Sequence, residues 1–409
     1  MDSTALYFVN TFWVLVGAIL VFIMHAGFSL VEVGMARSKN AANIAMKNVM
    51  TVAIGVVVYF LVGYGFMFGE DVGGIIGTSN FCLMGYTAAT EISGVNGFVY
   101  FFFEGIFCAT CATIVSGAMA ERTNFYAYLF FCAIAASIIY PIMGHWIWSA
   151  DGWLNQFGTH DYAGGLIVHA LGGCCALVGA AMVGPRIGKY NKDGSSNAIP
   201  GHNLIYATLG VLLLFFGWFG FNGASSLDIT ADATYISEVS TFIGGAAGGL
   251  TAAFLTAMRY KKVDPGMVLN GILAGLVGVT PGADVFLPVP SLIVGILAAT
   301  AMTFMVPIVD EKFHIDDPVG AVSVHGVGGV TGTLCVGLFS MDSGLFYGYG
   351  FHQLLCQVVG LIVVLPIGAL LTFLTFKVAG VLFHGIRVDA ESELIGLDTS
   401  EHGMSAYGD

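Results

Sequence analysis

An all-α integral membrane protein of eleven transmembrane helices, arranged as an inverted five-plus-five repeat followed by a long C-terminal helix, is predicted by three observations. The apolar residues come in long uninterrupted runs. Every basic residue falls on one side of those runs. One thirteen-residue motif occurs twice, in helices that enter from opposite faces.

Of 409 residues, 57% are hydrophobic and 10% charged, against roughly 25% charged in an ordinary soluble domain. Each run is long enough to cross a hydrocarbon core of roughly 30 Å, which needs about 18 residues or more. A soluble α/β core does not repeat runs of that length. Glycine, at 57 residues, is about twice its usual share and suits helices whose backbones approach closely. The net charge of −13 does not identify a cationic partner, because acids fall on both sides of the runs, and no nucleic-acid partner is expected.

The eleven helices centre near residues 20, 56, 108, 135, 172, 213, 247, 273, 298, 329 and 363, the eighth being the shortest. The first run follows Met1-Asp-Ser-Thr-Ala5, which lacks the basic start of a signal peptide, so this run is expected to remain as a span. The 13 basic residues follow helices 1, 3, 5, 7, 9 and 11: Arg37, Lys39 and Lys47; Arg122; Arg186, Lys189 and Lys192; Arg259, Lys261 and Lys262; Lys312; Lys377 and Arg387. The N-terminus and the intervening connections have none, which places the N-terminus outside and the C-terminus in the cytoplasm of a cell membrane.

Residues 69–95, rich in Gly, Thr and Ser, are expected to form an external loop, and 184–201 a linker between halves. The expected divisions are a membrane domain over 1–388 and a cytoplasmic tail over 389–409. Within the domain, the first half covers about 8–184, the second about 203–340, and helix 11 about 350–385. The eight cysteines show no metal pattern, and only Cys82 falls in an external loop, so no intrachain disulfide is expected there.

Helix 5 opens Asp161-Tyr-Ala-Gly-Gly-Leu-Ile-Val-His169-Ala-Leu-Gly172-Gly173, and helix 10 opens Asp317-Pro-Val-Gly-Ala-Val-Ser-Val-His325-Gly-Val-Gly328-Gly329. Both fit D-x-x-G-x-x-x-V-H-x-x-G-G. A connection free of Lys and Arg precedes the first copy and Lys312 precedes the second, so the repeat is inverted. Eight residues of helix rise about 12 Å, which sets each Asp near one membrane face and each His near the midplane. A pseudo-twofold axis in the membrane plane then brings His169 and His325 together, at the depth where inverted-repeat transporters hold substrate. Such a pair favours neutral imidazoles joined by an N–H···N bond, since charging either ring beside the other in an apolar interior is costly. Two buried histidines capped by helix contacts are the structural alternative. Zinc binding lacks a carboxylate or thiolate at matching depth.

Phe103 and Phe107 share one face of helix 3, and helix 4 ends outside with Trp146 and Trp148. Aromatic faces hold a partly desolvated cation with gains of about 0.5–2 kcal/mol. The same residue types also serve as core filler and interface anchors. Helix 6 carries Gly217-Trp-Phe-Gly-Phe-Asn-Gly-Ala-Ser-Ser226, a mixture suited to gating a narrow pore or to tight packing. Asp161 is read as a helix-terminus acid, Glu104 as an unusual acid without an assigned partner, and His25 as a satisfied core residue.

Together these segments resemble the ammonium transporter family, which includes methylammonium permeases and Rhesus proteins. The resemblance runs over helices 1 to 11 through Phe103-Glu-Gly-Ile-Phe107, Ser116-Gly-Ala-Met-Ala-Glu121-Arg122, the helix 5 motif, Gly217-Trp-Phe-Gly-Phe-Asn222, Asp316-Asp-Pro318 and His325-Gly326. Gly396-Leu-Asp-Thr-Ser-Glu401-His402-Gly403 with Ala406-Tyr407 is similar to the tail of bacterial and archaeal members.

The resemblance implies a non-enzymatic, cofactor-free homotrimer with one pore per subunit. Ammonium, and in some members methylammonium, is recruited by Phe107, Trp148 and Ser225 with Phe103 nearby. It implies a gate of Phe107 and Phe221, vestibule support from Asp161 and Trp218, and a pore lined by the twin histidines His169 and His325. It also implies control by a PII-type signal protein at the cytoplasmic face, although Met404 stands where the family pattern often has an acid. Two rivals remain. One is an ammonium sensor of the same fold, disfavoured because no signalling domain is read in the chain. The other is a Rhesus-like neutral gas channel, disfavoured by the recruitment residues.

Overall fold

Backbone N–H and C=O groups cannot stay unpaired in hydrocarbon, so spanning segments close their hydrogen bonds internally as helices. The computed structural model describes residues 2–408; Met1 and Asp409 lie outside the described residues. It contains 11 helical runs long and apolar enough to cross a membrane. In chain order these are α1 (Ser3–Met35), α2 (Ser38–Phe68), α3 (Gly97–Ala118), α4 (Phe125–Phe157), α5 (Gly165–Val183), α6 (Leu204–Ser226), α7 (Asp232–Tyr260), α8 (Pro265–Gly282), α9 (Pro288–Lys312), α10 (Val322–Phe339) and α11 (His352–Leu382). The eighth, expected to be the shortest, shares its length of 18 residues with α10.

The packing repeats between halves. Helix α1 lies along α6, α5 against α10, and the pairing of α3 with α5 is matched by that of α8 with α10. Small residues set the spacing: a Cβ on Gly27 of α1 would fall 2.9 Å from the Gly210 carbonyl oxygen of α6.

The two copies of the repeated motif fold alike. Asp161 Oδ2 accepts the backbone N–H groups of Leu166 and Ile167 at 3.0 and 2.9 Å, and Asp317 Oδ2 accepts that of Val322 at 2.8 Å. Each carboxylate therefore satisfies donors that a helix start leaves unpaired. Three residues after each Asp, Gly164 and Gly320 take φ of 97° and 79°, a conformation that disfavours a Cβ. Each helix then begins with a wider π-helical turn, Gly165–Ala170 and Val322–Val327, and each of these turns contains its histidine.

Residues 69–95, expected as a loop, contain two short hairpins that pair Asp71–Val72 with Ile76–Gly77 and Glu91–Ile92 with Val95–Asn96. Helix α4 pins the first: His145 Nε2 meets Asp71 Oδ1 at 2.9 Å, and Trp146 Nε1 donates to the Ile75 carbonyl at 2.8 Å.

On the face that carries the basic residues, four connections meet in one buried ion network. Arg186 holds both oxygens of Asp316, Nε to Oδ2 and Nη2 to Oδ1, each at 2.8 Å, and reaches Glu121 Oε1 with Nη1 at 2.8 Å. Arg37 binds the other Glu121 oxygen, and Arg122 donates to the Asp316 carbonyl at 2.6 Å. Burial opposes ionisation of Asp316, but the Arg186 guanidinium outweighs it and holds the carboxyl down at about 2.

The tail forms two short helices, α12 (Ala390–Ile395) and α13 (Leu397–His402), docked on this face. Asp398 accepts the N–H groups of Ala42 and Asn43 at the start of α2, Lys39 Nζ donates to the Glu393 carbonyl at 2.6 Å, and Arg387 pairs with Glu393.

Candidate functional site

Starting from the face opposite the basic residues, a cavity of about 190 Å³ opens between α3, α4 and α6, lined by Tyr100, Phe103, Glu104, Phe107, Trp148, Tyr162 and Ser225, with Ser93 and Leu227 at its edge. The four residues expected to recruit substrate thus share one chamber. The indole N–H of Trp148 donates to the Asp161 carbonyl at 2.6 Å. Asp161 therefore supports the chamber through its backbone while its carboxylate starts α5. The Ser225 hydroxyl donates to the Phe221 carbonyl at 2.7 Å, which leaves its oxygen lone pairs available to accept a hydrogen bond. Composition gives no signal for Tyr100 and Tyr162, whereas Glu104 stands out in the sequence as an unusual acid that, in a sensor of this fold, would make the vestibule a tight cation trap.

The chamber floor is aromatic. Phe107 and Phe221 stack with ring centroids 4.0 Å apart, and both are buried, so the passage is closed at this level. Beneath them lies the histidine pair: the Phe221 and His169 rings are 5.4 Å apart, and His169 Nδ1 meets His325 Nδ1 at 3.1 Å. One ring must donate and the other accept, so the pair shares a single proton on this bond. His169 Nε2 is buried and has no partner among the described residues. Trp218, expected to support the chamber, sits one layer deeper: it stacks on His169 at 5.1 Å, and its N–H donates to Thr280 at 2.9 Å.

Below the pair, Phe28 packs 5.8 Å from His325, and a cavity of about 20 Å³ is lined by Phe28, Glu32, Ile114, Leu273 and His325. That volume holds about one water. His25 was expected to be satisfied; instead neither ring nitrogen has a hydrogen-bond partner among the described residues. Its neighbours along the groove are largely apolar.

The separation of the histidines is fixed by backbone contact. A Cβ on Gly173 would lie 2.1 Å from the Gly326 nitrogen, and one on Gly329 would lie 2.7 Å from the Ala170 nitrogen. Ala170 and Gly326 are equivalent positions in the two motifs, so the contact is reciprocal. Gly173→Ala is expected to cost about 1–3 kcal/mol of stability through overpacking. Gly105→Ala, whose added Cβ would be 3.6 Å from Tyr59, is expected to leave the melting temperature in detergent near that of the parent. Equal melting temperatures for the two variants would refute this.

Among the described residues, no group of three or more His, Cys, Asp or Glu is placed to hold a metal ion. The site is thus a polar chamber, an aromatic closure and a histidine pair stacked in line across the bundle.

The Ammonium Transporter Family model matches residues 12–407. Ammonium transporter Amt2 of Archaeoglobus fulgidus is 40% identical, over 98% of this chain and 88% of that protein. A putative ammonium transporter of Synechocystis is 38% identical, over 98% and 90%. Among solved structures, one described as Sensor Amt Protein superposes with a TM-score of 0.94 at 38% identity, covering 98% of this chain and 100% of that one. Mep2 of Saccharomyces cerevisiae superposes with a TM-score of 0.88 at 27% identity, covering 95% and 90%. With a matching motif set, fold and near-complete coverage, the chain belongs to the Ammonium Transporter Family.

Proposed function

We propose that the protein takes up ammonium across the plasma membrane, recruiting the cation at the aromatic chamber, separating it from a proton, and conducting ammonia past the histidine pair. The observation that carries this reading is the in-line order of chamber, Phe107–Phe221 stack and His169–His325 pair. The positive-inside rule puts the basic face in the cytoplasm, so the chamber opens outside, the N-terminus is extracellular and the C-terminus cytoplasmic.

In the chamber, Phe103, Phe107 and Trp148 offer ring faces to the cation, for about 0.5–2 kcal/mol each when water is partly stripped away. The Ser225 oxygen accepts an N–H bond. Ordinary hydrated cations meet the closed aromatic pair and an apolar conduit in which charge is expensive. Ammonia, once neutral, crosses at low cost, and the histidine pair relays the proton, so transport is electrogenic. Three such subunits form a homotrimer, each with its own pore.

Pulses of ammonium onto protein-containing liposomes on a solid-supported membrane are expected to evoke a saturable current, with a smaller one from methylammonium. Accumulation without current would overturn electrogenic transport. The similarity to a solved structure described as a sensor supports a second reading, in which ammonium binds and no flux follows. Saturable binding with neither current nor uptake would establish that alternative.

The tail docked on the basic face supports a binding site there for a PII-type signal protein. Pull-down with the cognate PII protein is expected to succeed and to respond to nucleotide and 2-oxoglutarate; no capture in any of these states would remove this partner.

A further inference from the structure

Two buried carboxylates bracket the histidine pair, one in each cavity. Glu104 on α3 is 7% exposed and lines the upper chamber, and its Oε2 has no hydrogen-bond partner among the described residues. Glu32 on α1 is 3% exposed and lines the lower cavity together with His325, and its Oε2 accepts the Ser116 hydroxyl at 2.8 Å. Among the described residues neither forms an ion pair, whereas Glu121, Asp316 and Glu393 do. Glu104 and Ser116 lie on the same helix, twelve residues apart, which is about 18 Å of rise. The aromatic closure and the histidines occupy the interval.

A carboxylate is costly at membrane depth, and such groups mark ion or proton routes. Packing alone does not explain Glu104, because a buried acid with a free oxygen in a polar chamber is held at a loss. Its position fits the counter-charge of a cation and the base that the cation's chemistry needs.

Resting on the transport reading above, we infer that Glu104 accepts a proton from ammonium in the upper chamber and that Glu32 returns a proton to ammonia in the lower cavity. In the first step an ammonium N–H bond breaks, the electron pair stays on nitrogen, and the proton forms an O–H bond on Glu104. The histidine pair passes the proton on, gaining it at one ring and losing it from the other, until it rests on the Glu32 carboxylate. In the last step the Glu32 O–H bond breaks and the ammonia lone pair takes the proton. One nitrogen and one positive charge cross, and both carboxylates regain their starting state. The two imidazoles end with the protons on Nδ1 and Nε2 exchanged and return to their first tautomers by proton exchange before the next cycle.

The test uses the full chain in liposomes, comparing the equal-sized pair Asp and Asn at each position alongside Glu104→Gln and Glu32→Gln. The amide variants are expected to lose at least about tenfold in ammonium-evoked current, while Glu104→Asp and Glu32→Asp keep a measurable part of it. Glu104→Gln is also expected to raise the half-saturating ammonium concentration, and Glu32→Gln to leave it within about twofold, since only the first group touches the incoming cation. If either Gln variant fails to fold, the Asp and Asn pair at that position decides. Parent-like currents in the amide variants, or equal currents for Asp and Asn, would overturn the inference while leaving transport intact. A parent protein with neither current nor uptake would instead overturn the transport reading, and this inference with it.

Discussion

Replacing both His169 and His325 with leucine is expected to lower the ammonium-evoked current at least about 100-fold, the scale on which positioned proton-transfer groups act. The two rings share one Nδ1–H···Nδ1 bond of 3.1 Å and sit directly below the aromatic closure. Removing one ring strands the Nδ1 of the other in an apolar setting, where an unpaired polar atom costs about 1–3 kcal/mol. On the proposed mechanism, removing both is expected to leave a smooth apolar passage that neutral ammonia still crosses. Electrical recording on the double variant, paired with nitrogen uptake, is therefore expected to show current lost and ammonia permeation retained. Unchanged current would take the histidines out of the proton route.

Arg186→Ala is expected to be the most destabilising single change on the basic face, by about 3–5 kcal/mol, because it strands buried charge. Arg186 is 4% exposed and its partner Asp316 1%, and the same guanidinium reaches Glu121. Asp316→Asn is expected to be milder, since the shape survives. The pH dependence follows from the depressed Asp316 carboxyl at about 2. Its contribution is fully present above the unfolded value of about 3.9 and drains away as pH falls toward 2, because the unfolded chain takes up the proton first. Thermal unfolding in detergent between pH 5 and pH 2 measures this. The Asn variant is expected to show a smaller loss than the parent; identical slopes would separate Asp316 from acid stability.

Most of the architecture was legible because membrane helices announce themselves by run length, and the one-sided Lys and Arg pattern counts their crossings. The inverted relation of α5 to α10 could be read because Asp161 and Asp317, Gly164 and Gly320, and His169 and His325 stand at equal offsets, and the shared geometry needs those residue types at those places. The π-helical turns were not legible, since one wider turn leaves no mark on hydrophobic periodicity. The ion network was half visible: Glu121-Arg122 and Asp316-Asp317 stood out as motifs, but Arg186, the residue that joins them, lies in a linker whose path no pattern fixes. The resemblance implies chamber support from Trp218, yet three residues along a helix from Phe221 are about 4.5 Å of depth, and that displacement carries it to His169. The tail was read as a polar extension. Its two short helices owe their position to Asp398, Lys39 and Arg387, contacts between chain ends that composition does not reveal.

The long seam between α1 and α6 bears on how the chain is made. Roughly 190 residues separate the end of the first helix from the end of its partner, which at 5–20 residues per second is about 10–40 s of synthesis. Throughout that interval α1, with His25 and Glu32 on it, waits in the bilayer without the surface it was shaped to meet. Helix α5 likewise waits for α10. Biogenesis is therefore a problem of holding unfinished halves apart from wrong neighbours, and the waiting time is set by the ribosome.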